Sequence, residues 1–218
     1  MVYLIKPHEW VIVMEQRYFF VIKFLPEHAD PELLSGRSIS VLHGFIKTNE
    51  ILNNSIGISF PKWSDDSIGM AIAFISTDRE CLCGLSYQPY FTYMKKEGFF
   101  DISQITEVPC EVNELRFVRN SAIDKSFLKS KNKRLKRSER RAREANREYN
   151  PVAREDRIFD HFHSIPMSSK GTERDFVLQI QQKTCDIVRM DNQFNSYGFA
   201  TNDKWLGSVP DLRDTLLF

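Results

Sequence analysis

Residues 129–147 carry ten Lys/Arg and two Glu, a net of +8 over 19 positions that cannot be folded into a hydrophobic core. The whole chain carries +1, so the other 199 residues stand at −7. The positive charge is gathered on one element of an otherwise acidic protein, and a local field of that kind steers a charged partner whatever the net charge. With about 100° per residue, Lys129, Lys133, Lys136, Arg137, Arg140, Arg143 and Arg147 fall within an arc of roughly 120° on a helix. Leu135, Ala142 and Ala145 are the apolar residues left for the far side, too few to seat the helix on a core. A merely solvated helix intersperses acids at i,i+4 to damp repulsion, and here Glu139 and Glu144 alone do so. At about 1.5 Å per residue such a helix runs roughly 28 Å, enough to follow several phosphates along a groove. A polyanionic partner fits. Charge alone leaves RNA, DNA and an acidic protein open, because phosphate contacts carry no identity.

The core must come from the flanking segments, and with 17 Phe and 42% hydrophobic residues they can supply it. Residues 18–25 (YFFVIKFL), aromatic and β-branched and stopped by Pro26, predict a buried strand. Residues 31–49 place Leu33, Leu34, Ile39, Val41, Leu42, Phe45 and Ile46 at mostly helical spacing behind an initial proline. Strands are expected at 56–60 and 68–76 about the polar turn KWSDDS, a helix over 77–96 broken at Pro89, and a strand over 99–109. Strand, helix, strand, strand, helix, strand is the ferredoxin-like split βαβ order, a platform that hosts many unrelated functions. From residue 115 the character changes: strand-like LRFVRNSAI, the basic stretch, a polar connector NREYNPVARED, then strands at 176–181 and 196–201. A boundary near residue 112 divides the chain into an extension (1–16), a ferredoxin-like domain (17–112) and a C-terminal α/β domain (113–218) that carries the arginine-rich helix. The class is α+β.

No window approaches the roughly 20 apolar residues of a membrane helix, and the first sixteen residues hold Lys6, His8, Glu9 and Glu15, so neither a signal peptide nor an anchor is read. Cys81, Cys83, Cys110 and Cys185 form no CxxC pair, which argues against a zinc knuckle and fits a reducing cytoplasm.

Five histidines supply the candidates for chemistry. His43, in SVLHGFIK, lies on the long helix next to Gly44 with Lys47 one turn later on the same face; its ordinary alternative is a core-edge histidine with a satisfied hydrogen bond. His161 and His163 would share one side of a strand but lack a third ligand at metal spacing. The run MSSKGTERDF offers the hydroxyls of Ser168 and Ser169 beside Lys170, Gly171 and Thr172, either to a phosphate or as a plain turn. Tyr197, in SYGFA, is expected on a strand, where its hydroxyl can orient an imidazole or simply be half-buried. RNA carries its own nucleophile, the 2′-hydroxyl, so a His, Ser and Tyr set without metal or cofactor suffices for cleavage. DNA cleavage calls for carboxylates that hold metal, and no such cluster stands in the sequence.

In order along the chain, SVL-x-G, GISFP, an Arg-x-Ser-Ala segment, the basic helix, Ser-Ser-Lys-Gly-Thr with Phe176, SYGF and Val209-Pro210 make residues 17–212 resemble the CRISPR repeat-processing endoribonuclease of type I-F systems. The resemblance implies a ferredoxin-like domain followed by a domain that binds the repeat hairpin of the crRNA with its basic helix in the major groove. It also implies metal-independent cleavage at the 3′ base of the hairpin to leave a 2′,3′-cyclic phosphate. The protein would then stay bound as a subunit of a Cascade complex beside its backbone protein, with no sequence-specific DNA binding of its own. By the same resemblance Tyr197 orients the catalytic histidine, Ser168 or Ser169 positions the attacking hydroxyl, Phe176 stacks beneath the stem and Arg119 reads bases, with Ser121 where the family has glutamine. Lys129, Lys133, Arg134, Lys136, Arg137, Arg140, Arg141, Arg143 and Arg147 are the hairpin-binding cations. The family histidine aligns with Lys47, and His43 stands one turn earlier on the same helical face, so His43 is the expected catalytic histidine. Histidine before glycine resembles members carried by CRISPR-associated transposons, whose guide complexes join a TniQ-type protein. The alternative is a hairpin-binding subunit of such a complex that no longer cuts.

Overall fold

The computed structural model describes residues 2–6, 9–12, 16–49, 54–149, 159–169, 174–188 and 193–215. In the extension, β1 (Val2–Lys6) and β2 (Glu9–Ile12) pair antiparallel as a sheet of their own. β3 (Tyr18–Phe24) is followed by α1 (Pro31–Thr48), β4 (Gly57–Ser59), β5 (Ala71–Ser76), α2 (Arg79–Ser86), α3 (Pro89–Lys96), β6 (Phe100–Ile102) and β7 (Thr106–Glu107). The sheet order is β4-β5-β3-β6 with β7 also on β3, and every pairing is antiparallel, which is the ferredoxin-like arrangement. The expected single strand over 99–109 is two short ones, and the strand expected from residue 68 begins at Ala71.

α1 starts where the sequence says it should: the Asp30 carboxylate accepts from the Leu33 N–H at 2.8 Å, and Pro31 occupies the first helical position. Ser35, Ser38, Ile39, Leu42 and Ile46 form its buried stripe, which leaves His43 on the margin and Lys47 exposed. Gly36 lets the helix approach the second sheet closely, since a Cβ there would lie 2.1 Å from the Pro166 carbonyl oxygen.

That second sheet consists of β8 (Glu114–Arg119), β9 (His163–Ser169), β10 (Arg174–Cys185), β11 (Ala200–Thr201) and β12 (Val209–Pro210). Its order, β9-β10-β8-β11, repeats that of the first sheet, with β11 parallel to β8 where β6 is antiparallel to β3. The chain thus holds two ferredoxin-like strand orders in tandem, a repetition invisible in the residues because packing constrains polarity pattern rather than identity. LRFVRNSAI does not stay extended. Asn120 Oδ1 accepts from the Ala122 N–H at 3.0 Å and opens α4 (Ser121–Ser126), while its Nδ2 donates to Gln181 Oε1 at 2.8 Å and fixes the turn onto β10.

α5 (Leu128–Glu144) is the basic helix, shorter than the sequence suggests. Asn146 at φ 53 donates its N–H to Arg143 O, and the Arg147 N–H reaches back to Ala142 O, the Schellman ending; Arg147 therefore lies beyond the helix. Among the described residues no side chain caps the N-terminus of α5, and its described side chains are exposed or, for Ala142, half-buried, so the described core does not hold it.

One continuous hydrophobic core joins the two sheets. At its centre Phe60 meets Phe117 edge-on at 5.2 Å and stacks on Phe199 at 6.2 Å. A second link is ionic: Arg17, before β3, grips Glu114 at the start of β8 through Nη2–Oε1 at 2.6 Å and Nη1–Oε2 at 3.1 Å, both residues 7% exposed. Removing one partner of such a pair strands a buried charge, at about 3–5 kcal/mol. Glu114→Ala is therefore expected to lower the unfolding free energy by roughly 3 kcal/mol in a denaturant titration, and Arg17→Met combined with Glu114→Leu to restore most of it.

Candidate active site and nucleic-acid interface

Four candidate residues from four segments meet at one place. His43 projects from the last turns of α1, and its ring lies flat against Tyr197 with centroids 4.3 Å apart and planes 12° from parallel. On Tyr197 the Arg119 guanidinium sits 5.5 Å from the ring centroid and Phe176 meets the ring edge-on at 6.1 Å. Arg119 ends β8 and Phe176 lies near the start of β10, so the inner strands of the second sheet and the helix of the first supply the group together.

Tyr197 is not on a strand. It sits in a turn built on Asn195, whose buried Oδ1 accepts from the N–H groups of Tyr197 at 2.8 Å and Phe199 at 3.2 Å. Gly198 completes the turn at φ 80, and a Cβ there would fall 2.7 Å from Ile58 Cγ1 and 3.0 Å from Leu42 Cδ2. Its carbonyl accepts from the Ile58 N–H at 2.9 Å, which seats the turn against β4. Asn195 was missed at the level of sequence; Asn ahead of Gly in NSYG is the signal that marks it.

The turn aims the Ser196 carbonyl at His43 Nδ1, 3.0 Å away. A carbonyl oxygen only accepts, so Nδ1 carries the proton and donates it, and in the neutral ring Nε2 is left with its lone pair. Partial burial holds the imidazole below its ordinary pKa; the Ser196 hydrogen bond acts in the opposite sense, and the positive charge of Lys47 lowers it again. His43 is thus held neutral near pH 7 with one nitrogen available as a base. The orienting contacts are the Ser196 carbonyl and the Tyr197 ring face, where the sequence suggested the tyrosine hydroxyl.

The other candidates are placed as follows. Ser168 is exposed on β9 opposite Asp175, one register step from the Met167–Phe176 pair and so on the other face of the sheet. Ser169 faces Arg174 in register, at a position of the same parity as Met167, and its side chain, like residues 170–173, lies outside the described part. Ser121 opens α4 and is exposed. His163, 8% exposed, donates from Nε2 to Ser64 O at 2.8 Å and packs edge-on against Trp63; His161 Nε2 approaches the same nitrogen at 3.2 Å. Among the described residues no three His, Cys, Asp or Glu lie together as metal ligands. Among the described residues the four cysteines are free, and burial pushes the Cys81 thiol up to about 12, which keeps it unreactive.

On α5, Arg134, Lys136, Arg137, Arg140, Arg141 and Arg143 are all exposed, whereas the side chains of Lys129 and Lys133 lie outside the described part. Arg140–Glu144 at 3.4 Å and Arg143–Glu139 at 3.3 Å are i,i+4 pairs worth a few tenths of a kcal/mol each, which a phosphate readily displaces. Arg147 borders a hollow with Glu139, Arg143, Asn146 and Tyr149.

The family model for CRISPR-associated protein (Cas_Csy4) matches residues 19–211. The chain belongs to this family. It is a family of endoribonucleases that process CRISPR repeat RNA, and both the His43 group and α5 fall within the matched span. Among solved structures, one described as CRISPR associated protein Cas6 aligns at 11% identity and a TM-score of 0.34, over 89% of this chain and 98% of that one. No curated protein matches the chain. Within this Cas_Csy4 chain, no described helix is long and apolar enough to cross a membrane.

Asn195→Ala leaves two N–H groups of the turn without their acceptor, at about 1–3 kcal/mol. Denaturant titration of the variant should show that loss, and the His43 Nδ1–H resonance should exchange faster with water.

Proposed function

We propose that the chain is a metal-independent endoribonuclease that binds the crRNA repeat hairpin and cuts at its 3′ base with His43 as general base. The observation that carries this reading is the His43 Nδ1–Ser196 O hydrogen bond, which fixes the tautomer and leaves Nε2 as the proton acceptor. In the reaction Nε2 removes the proton of the 2′-hydroxyl and the 2′-oxygen forms a bond to the adjacent phosphorus. The bond from phosphorus to the 5′-oxygen then breaks, that oxygen leaves as a hydroxyl after taking a proton from water, and a 2′,3′-cyclic phosphate remains. Tyr197 holds the imidazole plane, Lys47 places positive charge beside the phosphate, and Ser168 or Ser169 aligns the 2′-hydroxyl. Arg119, Ser121 and Phe176 contact the base of the stem, and α5 holds its phosphates.

In this reading the product-bound protein then serves as a subunit of a type I-F Cascade complex in the cytoplasm, and His43 ahead of Gly44 supports a place among the members carried by transposons, next to a TniQ-type protein. Residues 113–218 act as the hairpin-binding domain and residues 17–112 as the ferredoxin-like domain that supplies the histidine.

Cleavage of repeat RNA in EDTA tests the reading. Wild type should release cyclic-phosphate product, and His43→Ala should lose cleavage by several orders of magnitude with hairpin affinity nearly unchanged. Wild type that binds without cutting would leave the binding-only subunit as the description.

The pH profile gives a second test. A general base works in its neutral form, so cleavage falls as pH drops through the His43 pKa. Lys47→Met removes a charge that lowers that pKa, so the acid limb of kcat/KM should move to higher pH as kcat falls. For α5, changing Arg137, Arg140 and Arg143 together to Ala should weaken hairpin binding and flatten its dependence on log salt by roughly one to three. An unchanged slope would make α5 a solvated face.

A further inference from the structure

We propose that Asp124, Gln179 and Gln181 are positioning residues that root the basic helix α5 at a fixed distance from His43 and so decide which phosphate of the repeat RNA is cut. The RNA rests on the cleavage reading, whereas the anchor is a separate set of bonds.

α5 places no described side chain in the core and has no side-chain cap among the described residues, so its position depends on what precedes it. One extended residue, Phe127 at φ −62 and ψ 140, joins it to α4. With so short a joint, whatever holds α4 holds the root of α5. α4 lies on β10, on the face opposite that of Phe176, since Gln179 and Gln181 differ in parity from Phe176 along the strand. Val118, opposite Gln181 in register, and Ile123 of α4 are each 1% exposed yet stand outside the core that joins the two sheets.

Buried carboxamides make the bonds between α4 and β10. The Asn120 N–H donates to Gln179 O at 2.9 Å and its Nδ2 to Gln181 Oε1 at 2.8 Å. Gln181 Nε2 donates in turn to Asp160 O at 3.0 Å, ahead of β9. Gln179 Oε1 accepts from Ser164 Oγ at 2.7 Å, so its Nε2 is the end that donates to the Asp124 carboxylate. Gln179 and Gln181 are 4% and 2% exposed. A buried amide without its partner costs more than the bond contributes, so bonds of this kind specify one placement of α4. Asp124 is half-buried and feels the positive charge of Arg119, whose guanidinium covers Tyr197.

The two faces of β10 thus serve two tasks. The core-side face sets Phe176 against Tyr197, which stacks on His43, and the opposite face holds the root of the helix that grips the stem. Phosphate contacts carry no identity, so α5 by itself does not tell one phosphate from the next; the span from its root to His43 Nε2 does. Misplacing a reacting group by about 1 Å can cost about a hundredfold in rate.

The experiment follows single-turnover cleavage of a repeat hairpin with unpaired flanks by the full chain, with product ends mapped by mass spectrometry. Asp124→Ala should lower the rate roughly ten- to hundredfold and spread the cuts to neighbouring phosphates, while hairpin affinity and its salt dependence stay nearly unchanged. Gln181→Met, which takes the acceptor from Asn120 Nδ2, should act in the same way. Asp124→Asn keeps an acceptor for Gln179 Nε2 and should cut as wild type does. An Asp124→Ala variant with wild-type rate and cut position, or an Asp124→Asn variant equally impaired, would overturn the proposal. A distance measured by pulsed electron paramagnetic resonance needs no cleavage. With Cys110 and Cys185 changed to Ser, nitroxides on Cys83 and on Ser138→Cys report α5 against the first sheet. Asp124→Ala should broaden that distance in the absence of RNA, and an unbroadened one would overturn the anchor. Broadening in a protein whose wild type binds the hairpin without cutting would overturn the cleavage reading and leave the anchor standing.

Discussion

The turn at residues 195–198 bridges the two halves of the chain at the candidate site. Its backbone gives one carbonyl, Gly198 O, to the N–H of Ile58 on β4 and the next but one, Ser196 O, to the imidazole of His43 on α1. Both bonds cross from the second sheet to the first. If the turn opens, Tyr197 leaves the face of His43, Arg119 and Phe176 lose the ring they pack on, and the imidazole loses the acceptor that sets its tautomer. A net hydrogen bond worth about 1 kcal/mol and a ring stack worth about as much again are small against folding. Their effect lies in direction: they decide which nitrogen of His43 faces outward unprotonated.

Other contacts join the two sheets around the turn. The Phe60, Phe117 and Phe199 cluster and the buried Arg17–Glu114 pair lock the sheets together on either side, and Gly36 allows α1 to lie directly on the Pro166 backbone of β9. The proposed base comes from one sheet's helix and its orienting carbonyl from the other sheet's loop, so the packing between the sheets sets the geometry of the site. α5 is the opposite case. Its described side chains have no core contacts, and its ion pairs are weak enough to be exchanged for the phosphates of the proposed hairpin.

The sequence made much of the site legible. His43 and Tyr197 were picked out from the residues and Phe176 and Arg119 through the family resemblance, and the four converge. The secondary elements of the first sheet followed from their apolar periods, because a half-buried strand or an amphipathic helix must repeat its polarity. Where the reading failed, a local hydrogen bond had overridden propensity. Asn120 turned an apparently continuous strand into strand and helix, Asn195 turned an expected strand into the turn that presents Tyr197, and Asn146 ended the basic helix before Arg147. All three are asparagines, whose side chain competes with the backbone for N–H groups or accepts a positive φ, so one short residue redirects the chain.

What the residues determined by themselves is therefore the chemistry on offer: a concentrated positive charge on a helix that no core can absorb, a histidine at the margin of an apolar stripe, and no acidic or cysteine cluster to bring in other reactions. What tertiary structure alone decided is the histidine's protonation geometry and its neighbours. The Ser196 carbonyl is a backbone atom that every residue type possesses, and it comes within 3.0 Å of His43 from 153 positions away, so no side-chain pattern encodes it. The same holds for the repeated strand order, since hydrogen bonds between main chains fix position without leaving a mark on composition.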